Sequence, residues 1–516
     1  HDGPALARHS IMKVHPIHRQ NVQRGFLRHL HHALLFSLPF SARRVLPSEI
    51  RLIRIPLQSG TAGEPGDPPD GMPGEGMGTP PGDPPDGNGG PGGTPPGGFG
   101  GGPGGGPGGS SADIDYTGAV EITSADSQSG QTYASTTSDE SALLISTADA
   151  VSITDPTVTK SGSSDGGDNC NFYGLNAAVL VKDGSTTTIT GGSILSEADG
   201  ANGVFSYGGN GGQNGAEGDG TSVMIRDTTI TTKGNGSGGI MTTGGGVTEA
   251  YNLTVETSGR SSAAIRTDRG GGTVHVDGGS YTTNGLGSPA IYSTADITVE
   301  NAELVSNLSE GVCIEGKNSI TLNNCDLTAN NTRCNGNATF LDTIMIYQSM
   351  SGDAASGTSS FTMTGGSLTS LSGHVFHVTN TNAIITLNGV EIVNEDADNI
   401  LLSVCADGWS GGSNVATLKA IAQKLVGTIL VGSDSSLTLE LTDNSSFEGY
   451  IDGKITNTKG ETVSTEAGTV SVTLDSTSTW TLTGDSYITE FNGDASNVIS
   501  NGYTLYVNGV ALTGTT

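Results

Sequence analysis

Short apolar runs alternate with strand-like runs of period two along most of this chain of 516 residues. A typical unit opens with an apolar run such as PAIYS (289–293) and continues with an alternating run such as ITVENAELVS (297–306). Alternation of apolar and polar positions over a few residues is typical of a half-buried β-strand. The pair recurs as GVCIE with SITLNNCDLT and as HVFHV with IITLNGVEIV, which predicts one repeating structural unit.

The first apolar residue of each unit marks the repeat. Successive markers lie 21 to 36 residues apart, a period at which solenoids, propellers and arrays repeat. A propeller blade needs four strands and about 40 or more residues, and the consensus of leucine-rich repeats is absent. We therefore predict an all-β fold, a single-stranded right-handed parallel β-helix of roughly a dozen coils over residues 113–516. The markers are Leu144, Val179, Val204, Ile240, Ile265, Ile291, Val312, Ile344, Val375, Ile400, Ile429 and Ile451.

The alternating run of each unit contains a bend. Asn, Asp and Gly stand at the same place in successive runs, and these residues tolerate the left-handed backbone region that a tight corner requires. The predicted bend residues are Asn301, Asn324, Asn388, Asp227 and Asp277, and the pairs Gly191–Gly192, Gly278–Gly279 and Gly365–Gly366.

Two segments precede the predicted solenoid. Residues 1–60 are basic, since residues 1–54 hold nine of the 22 Lys and Arg and seven of the ten His. The apolar run ALLFSLPFSA (33–42) gives this segment two interpretations, a signal region or a mistranslated start. Residues 61–112 hold 13 of the 20 Pro and long Gly tracts, which predicts a disordered linker that cannot bury enough apolar surface to fold.

The formal net charge of −30 argues against nucleic acid as a partner, because phosphate binding needs clustered Lys and Arg. No run of the sequence predicts a transmembrane helix. The five cysteines form no CxxC motif, so a structural zinc site is not expected, and we interpret most of them as small buried apolar residues. The stretch 415–427 is compatible with either a short helix or a strand.

Four longer turns interrupt the rhythm, at 159–175, 207–221, 329–341 and 348–359, and loops on one side of a solenoid often carry function. The first contains SSDGGDN (163–169), where Asp165 and Asp168 are candidate ligands for Ca²⁺. The segment lacks the spacing of an EF-hand, and Ca²⁺ prefers six to eight oxygen ligands. Ca²⁺ is therefore the one cofactor that the sequence leaves open.

Several repeat segments resemble a known group of proteins. NFYGLNAAVLV (171–181), GVFSYGG (203–209), AAIRTDRGGGTVHV (263–276), GSPAIYSTADITV (287–299) and IMIYQSMSGDA (344–354) are similar to secreted or surface β-helix proteins of Gram-positive gut bacteria. These belong to the pectate-lyase-like superfamily and are of the adhesin or carbohydrate-binding type. The resemblance implies a right-handed β-helix and an extracellular or cell-surface location, and it supplies no catalytic motif.

One residue beside each marker would form a row along one face of the solenoid: Ile145, Leu180, Phe205, Met241, Arg266, Tyr292, Cys313, Met345 and Phe376. If this row points outward, Phe205, Arg266 and Tyr292 form a stripe suited to an extended polysaccharide. If the register runs the other way, the same residues belong to the core, because a one-residue slip inverts every side chain. The sharpest polar cluster is Arg266, Asp268 and Arg269, read either as a glycan contact or as a solvated corner.

The sequence contains no recognised catalytic constellation. A glycosidase needs two carboxylates about 5–9 Å apart, and none is evident. His374 and His377 flank an apolar pair, and the sequence shows no acid close by to complete a dyad. The expected function is therefore non-catalytic binding of polysaccharide or host surface glycans along the rod. The alternatives are a polysaccharide lyase or glycoside hydrolase with an unfamiliar site, and a purely structural stalk.

Overall fold

Three ladders of parallel strands surround a shared interior in the part of the chain that this computed structural model describes, residues 114–211 and 217–516. One turn of chain adds a strand to each ladder, as in Val179–Lys182, Thr186–Thr190 and Ser193–Ser196. The predicted all-β parallel β-helix is thereby confirmed. The basic segment 1–60 and the linker 61–112 lie outside the described residues.

The first ladder is a sheet of 13 strands, built from the first apolar run of each repeat. Its strands are Thr117–Ile122, Glu140–Ser146, Val179–Lys182, Val204–Tyr207, Ile240–Thr243, Ile265–Thr267, Ile291–Ser293, Val312–Glu315, Asp342–Tyr347, His374–Thr379, Ile400–Val404, Thr428–Val431 and Ile451–Asp452.

The alternating run of each repeat supplies the second and third ladders, which together form a sheet of 22 strands. Gly246–Thr257 and Gly272–Thr283 run through the bend without interruption and so join the two ladders. The second ladder also contains Asp126–Ser129, Ala150–Thr154, Thr186–Thr190, Ser222–Arg226, Asp296–Glu300, Ser319–Asn323, Thr358–Thr364, Thr381–Asn388, Asn414–Ile421, Ser435–Thr442, Thr469–Leu474 and Glu490–Asn492. The third also contains Thr132–Ser135, Thr157–Lys160, Ser193–Ser196, Thr229–Thr232, Glu303–Ser306, Asp326–Asn330, Ser367–Ser372 and Glu391–Asn394.

Smaller elements complete the described chain. Four parallel strands follow the third ladder: Lys424–Val426, Ser446–Gly449, Thr479–Leu482 and Val498–Ile499. Lys454–Thr456 and Thr462–Thr465 form an antiparallel hairpin, and Ser486–Ile488, Leu505–Val507 and Val510–Ala511 form a separate terminal sheet. One α-helix, α1 (Asp168–Tyr173), and one 3₁₀ turn (Ala495–Asn497) are present. The stretch 415–427, ambiguous in sequence, is strand.

The markers predict the register of most of the first ladder. Val204 is the pairing partner of Val179 and of Ile240, and the alignment continues through Ile344. Three markers are wrong by one or two positions, since Val179 pairs with Leu143, Ile344 with Phe376, and Ile429 with Leu402. The last shift accompanies a bulge between Ile400 and Leu402, where one strand holds an extra residue.

The predicted bend lies at the corner between the second and third ladders. Asp227, Asn301 and Asn324 have φ between 51° and 53°, and all three predicted glycine pairs have positive φ. At Asn388 and Asp277 the left-handed residue is the next one along, Gly389 or Gly278. Amide side chains bridge neighbouring turns here, since Asn301 Nδ2 donates to Asp277 Oδ1 over 2.8 Å.

The interior of the helix is filled by apolar side chains from all three ladders. In one coil Val179, Ile189 and Ile194 are each 1% exposed. Near the C-terminus the Trp480 ring stacks on Phe447, with centroids 5.4 Å apart, and both are buried. Trp480 thus helps to fill the last coils, whereas Tyr487 is exposed. All five cysteines are free thiols, and four of them are buried.

Candidate functional site

The outward row of the first ladder was the predicted glycan-binding face. Leu144, Leu180, Phe205, Met241, Arg266, Tyr292, Cys313, Met345 and His377 are aligned in register along it. The predicted register is correct from Leu180 to Met345, and these side chains pack outside the main core. It is wrong at the two ends, because Ile145 and Phe376 belong to the main core, and Leu144 and His377 take their places.

This row is nevertheless not an exposed stripe, and that expectation needs correction. Phe205 and Arg266 are 0% exposed and Tyr292 is 2% exposed. Asp268 is also buried, and only Arg269, with 23% of its side chain exposed, reaches solvent to a useful degree. The physical reason is that other parts of the chain lie on top of this face.

Helix α1 covers the N-terminal half of the face. Phe172 and Tyr173 pack with Leu180, Phe205 and Met241 in one buried cluster. The helix ends at Gly174, whose φ of 79° is left-handed. A Cβ atom at Gly174 would lie 2.6 Å from Leu180 Cδ1, so glycine allows the helix to end directly against the sheet.

Arg266 forms a buried ion pair beneath α1. Its Nη2 donates to Asp268 Oδ2 over 2.7 Å, and its Nη1 donates to Asn171 Oδ1 of α1 over 3.2 Å. Burial raises the pKa of Asp268 to about 7, although Arg266 acts in the opposite direction. The pair therefore ties the helix to the ladder, at the cost of removing two charges from water.

Glu315 is the centre of a second buried cluster, two coils further along the same face. Its carboxylate accepts hydrogen bonds from Tyr292, from Tyr347 over 3.1 Å, and from Ser349. Burial raises the pKa of Glu315 even though these hydroxyl donors lower it. Glu315 is 0% exposed, so these hydroxyl groups replace water around its carboxylate.

Arg269 links helix α1 to the 348–359 loop. Its Nε donates to Asp353 Oδ1 over 3.0 Å, and its guanidinium lies 4.1 Å from the centre of the Phe172 ring. The ion pair with Asp353 balances the charge of Arg269 between α1 and this loop. It agrees with the interpretation of Arg269 as a corner residue paired with an acid, although the acid is Asp353 and not Asp268.

Sequence reasoning missed the acid beside the two histidines. His377 Nε2 lies 3.4 Å from Asp407 Oδ2, and the Nδ1 atoms of His374 and His377 each lie 2.7 Å from Ser403 Oγ. Asp407 also accepts hydrogen bonds from the backbone and hydroxyl of Thr339. Burial lowers the pKa of His374 to about 3, with His377 adding to the effect. The serine, histidine and carboxylate resemble a catalytic triad in type, but Ser403 and His377 are fully buried.

The predicted calcium ligands Asp165 and Asp168 do not converge. Asp165 lines a shallow cavity together with Asp199 and Asn235, whereas Asp168 interacts electrostatically with Arg269 and Asp353. Within residues 114–211 and 217–516, no three His, Cys, Asp or Glu side chains are grouped so that they could hold a metal ion.

The terminal groove is an open cavity at the C-terminal end of the first ladder, with a volume of about 430 Å³. The ladder ends at Ile451–Asp452, and the next strand, Ser486–Ile488, belongs to a separate sheet. At the junction Ile451 N bonds to the Ser486 hydroxyl over 3.2 Å. The groove is lined by Asp452, Lys454, Thr465, Glu466, Ala467, Gly468, Tyr487, Ile488, Thr489, Tyr506, Asn508 and Gly509.

Two tyrosines form one wall of the terminal groove. Tyr487 and Tyr506 are pairing partners, and their rings are parallel to within 6° with centroids 5.2 Å apart. Tyr487 is 42% exposed. Tyr506 stacks on one face of the Tyr487 ring, and both rings line the groove. The hairpin Lys454–Thr456 and Thr462–Thr465 also lines the groove, through Lys454 and Thr465.

A second groove, of about 520 Å³, lies where the chain passes from the first ladder to the second. Its described lining is polar and glycine-rich, with Glu217, Asp296 and Lys317 as the charged residues. Its described lining contains no aromatic ring, so it lacks the surface that an apolar sugar face would need.

Among the described residues, no helix is long and apolar enough to cross a membrane. No family model, curated protein or solved structure matches this chain.

Proposed function

We propose that this protein is a secreted or cell-surface β-helix that binds glycans without catalysing a reaction on them. The exposed Tyr487 ring, which lines the terminal groove, carries the proposal. The resemblance of the repeat segments to β-helix adhesins of the pectate-lyase-like superfamily supports the same class and the same location. Its partners are polysaccharides or host surface glycans.

The terminal groove combines the two kinds of surface that a sugar requires. The apolar face of a pyranose packs against an aromatic ring, and its hydroxyl groups need hydrogen-bonding partners. Tyr487 offers the ring, while Asp452, Glu466 and Asn508 offer carboxylate and amide groups in the same groove. Small-molecule sites typically combine an apolar wall with a few polar groups in this way.

This site replaces the expected one along the rod. The aromatic residues of the outward row are buried under α1 and the neighbouring loops, and so they offer no stacking surface to a polymer. Tyr487 lies in the terminal sheet, beyond the last strand of the first ladder, and it is exposed. We therefore assign glycan binding to the end of the solenoid.

The test uses the full chain on a glycan array, with and without Ca²⁺, followed by calorimetric titration of the strongest glycan. We expect Tyr487→Ala to weaken binding by about tenfold or more, since an aromatic anchor contributes at least that much. Tyr503→Ala is the matched control. Tyr503 is 44% exposed in the same terminal coil but does not line the groove.

Equal binding by the wild-type chain and Tyr487→Ala would overturn the assignment to the terminal groove. Failure of the wild-type chain to retain any glycan would overturn the proposed function itself. Circular dichroism of both variants confirms that any difference in binding comes from the side chain and not from loss of the fold.

A polysaccharide lyase or glycoside hydrolase is the second candidate, favoured by the cluster of Arg266 and Asp268. A general acid or base works best with a pKa near the working pH, and burial raises the pKa of Asp268 to about 7. Substrate would reach these atoms only if α1 moved away. The full chain is incubated with pectin and neutral glucans, and unsaturated products and reducing ends are measured. Products that Asp268→Asn abolishes would favour an enzyme over a binding protein.

A further inference from the structure

The terminal groove has the dimensions of a site for a short segment of sugar. Its volume of about 430 Å³ lies within the range of small-molecule pockets, about 300–1,000 Å³. The hairpin and the tyrosine pair both line the groove, and a volume of this size accommodates one or a few sugar residues at a time. The inference below rests on the proposed function, because it concerns which sugars this groove selects.

The base of the hairpin brings two carboxylates to the groove. Asp452 accepts a hydrogen bond from the backbone of Gly453 over 2.7 Å. A Cβ atom at Gly453 would lie 1.9 Å from the carbonyl carbon of Glu466, so the two chain segments approach as closely as backbone allows. Asp452 and Glu466 therefore belong to adjacent, tightly packed positions, and both line the groove.

The only positively charged residue in the lining is Lys454, which leaves two acids against one base. Among the described residues no ion pair of 4.0 Å or less joins Lys454 to Asp452 or Glu466. Lys454 and Glu466 are exposed, so neither charge is removed from solvent. The groove is thus net negative at its hairpin wall, and the exposed Tyr487 ring lines the same groove.

We infer that the terminal groove selects sugars that carry a protonated amino group, the hexosamine class, over uronic acids. The pyranose ring packs on Tyr487 and its ammonium group lies toward Asp452 and Glu466. A uronic acid of the same size meets the same two carboxylates as like charges. The net charge of −30 adds long-range repulsion of polyanions, which salt weakens.

The inference is tested by titrating the full chain with three tetrasaccharides of equal length, made of glucosamine, N-acetylglucosamine and galacturonic acid. At low salt we expect the glucosamine tetramer to bind about fivefold more tightly than the acetylated one, as two exposed charge contacts allow. We expect the galacturonate to bind most weakly. The double variant Asp452→Asn, Glu466→Gln should bind the amine and the acetamide equally, and Lys454→Gln should keep the preference for the amine.

Equal affinity of the wild-type chain for the amine and the acetamide would overturn the charge selection, while loss of both in Tyr487→Ala would leave the proposed function standing. A preference for the amine that survives in Asp452→Asn, Glu466→Gln would also overturn it. If no tetramer binds to the wild-type chain, hexosamine selection fails; the glycan array then decides separately whether the proposed function also fails. The two substituted side chains reach solvent, and circular dichroism verifies the fold of each variant.

Discussion

The middle of the first ladder and the terminal sheet beyond its end use aromatic side chains in opposite ways. In the middle, Phe205 and Tyr292 point away from the main core and are nevertheless buried, because α1 and the loops lie over them. At the end, Tyr487 occupies a comparable outward position with no cover and is 42% exposed. Position on a strand therefore does not decide whether a side chain is available to a ligand; the segment above it does.

The two regions also differ in whether their charged side chains are buried or exposed to solvent. The covered face holds Arg266, Asp268 and Glu315 away from water, in contact with protein partners. The terminal groove leaves Lys454 and Glu466 in solvent. Buried groups of this kind make a large difference to stability when one partner is removed, whereas exposed charges affect stability little and remain free to meet a ligand.

The largest expected effect is that of Arg266→Ala. The substitution leaves Asp268 buried without its partner, and breaking a buried pair in this way costs about 3–5 kcal/mol. Chemical denaturation followed by circular dichroism measures the loss of unfolding free energy. The double variant Arg266→Met, Asp268→Leu removes both charges and should recover most of that stability. A loss below about 1 kcal/mol for Arg266→Ala would show that the cover is not held by this pair.

A smaller effect is expected for Gly174→Ala, which acts on the cover alone. The added Cβ would lie 2.6 Å from Leu180 Cδ1, and the left-handed φ disfavours any side chain. Strain and overpacking together predict a cost of about 1–3 kcal/mol. Hydrogen exchange of α1 should increase while the strands of the second ladder keep their protection. Gly130→Ala is the control, since its φ is also positive but its Cβ meets nothing within 4 Å. Equal effects of both substitutions would mean that only backbone strain matters.

The sequence predicts the solenoid well because its signal is local and repeated. Alternation and spacing identify the repeat, and the positive φ of Asn301 and Asn324 is predicted from residue type at a bend. The same bend divides each alternating run between two ladders, which gives three strands per coil where the sequence showed two runs. The register errors fall at Leu144, Val375 and Ile400, where adjacent apolar residues leave the choice between neighbours open.

The site could not be predicted to the same extent, because it depends on contacts distant in sequence. Asn171 and Arg266 form a hydrogen bond although they are 95 residues apart in the sequence. No periodic pattern in the sequence predicts that a six-residue helix packs on the sheet at this point. Asp407 follows Ile400–Val404, the next strand of the first ladder, and lies beside His377. The pair can therefore be predicted only when the register of these two strands is known. The terminal groove arises where the first ladder ends and a new sheet begins, a break that the continued alternation after residue 470 conceals.

The folding stability of this protein should depend on pH through the buried carboxyl group of Asp268, which lies beneath α1. The pKa of Asp268 is raised by burial to about 7 from an ordinary value of 3.8. At a pH below the pKa that Asp268 has in the unfolded chain, its carboxyl group is protonated in both states. Its titration then has no effect on folding stability. As the pH rises from about 4 to about 7, the folded state keeps a proton that the unfolded state loses, so folding stability falls. Relative to Asp268→Asn, the wild-type chain should therefore lose stability between pH 4 and pH 7.

Thermal unfolding of both chains from pH 4 to pH 8 measures this difference. The variant keeps Arg266 charged at every pH, so its own cost is constant and cancels in the comparison. Asp353→Asn serves as the control for an acid that is paired with the partly exposed Arg269. A difference between wild type and Asp268→Asn that does not change with pH, or that grows in favour of the wild type, would show that Asp268 stays ionised in its pair.

The smallest effect on stability is expected for Tyr487→Ala, and it gives the sharpest contrast with the covered region. Tyr487 lines the groove, stacks on Tyr506 and is 42% exposed, so its truncation should change the unfolding free energy by about 0.5 kcal/mol or less, as for most surface substitutions. Phe205→Ala, its counterpart under the cover, should cost about 3–5 kcal/mol. Glycan binding should respond in the reverse order, with loss in Tyr487→Ala and none in Phe205→Ala. Similar stability losses for the two would mean that Tyr487 acts as part of the core, and the distinction between a covered middle and an open end would fail.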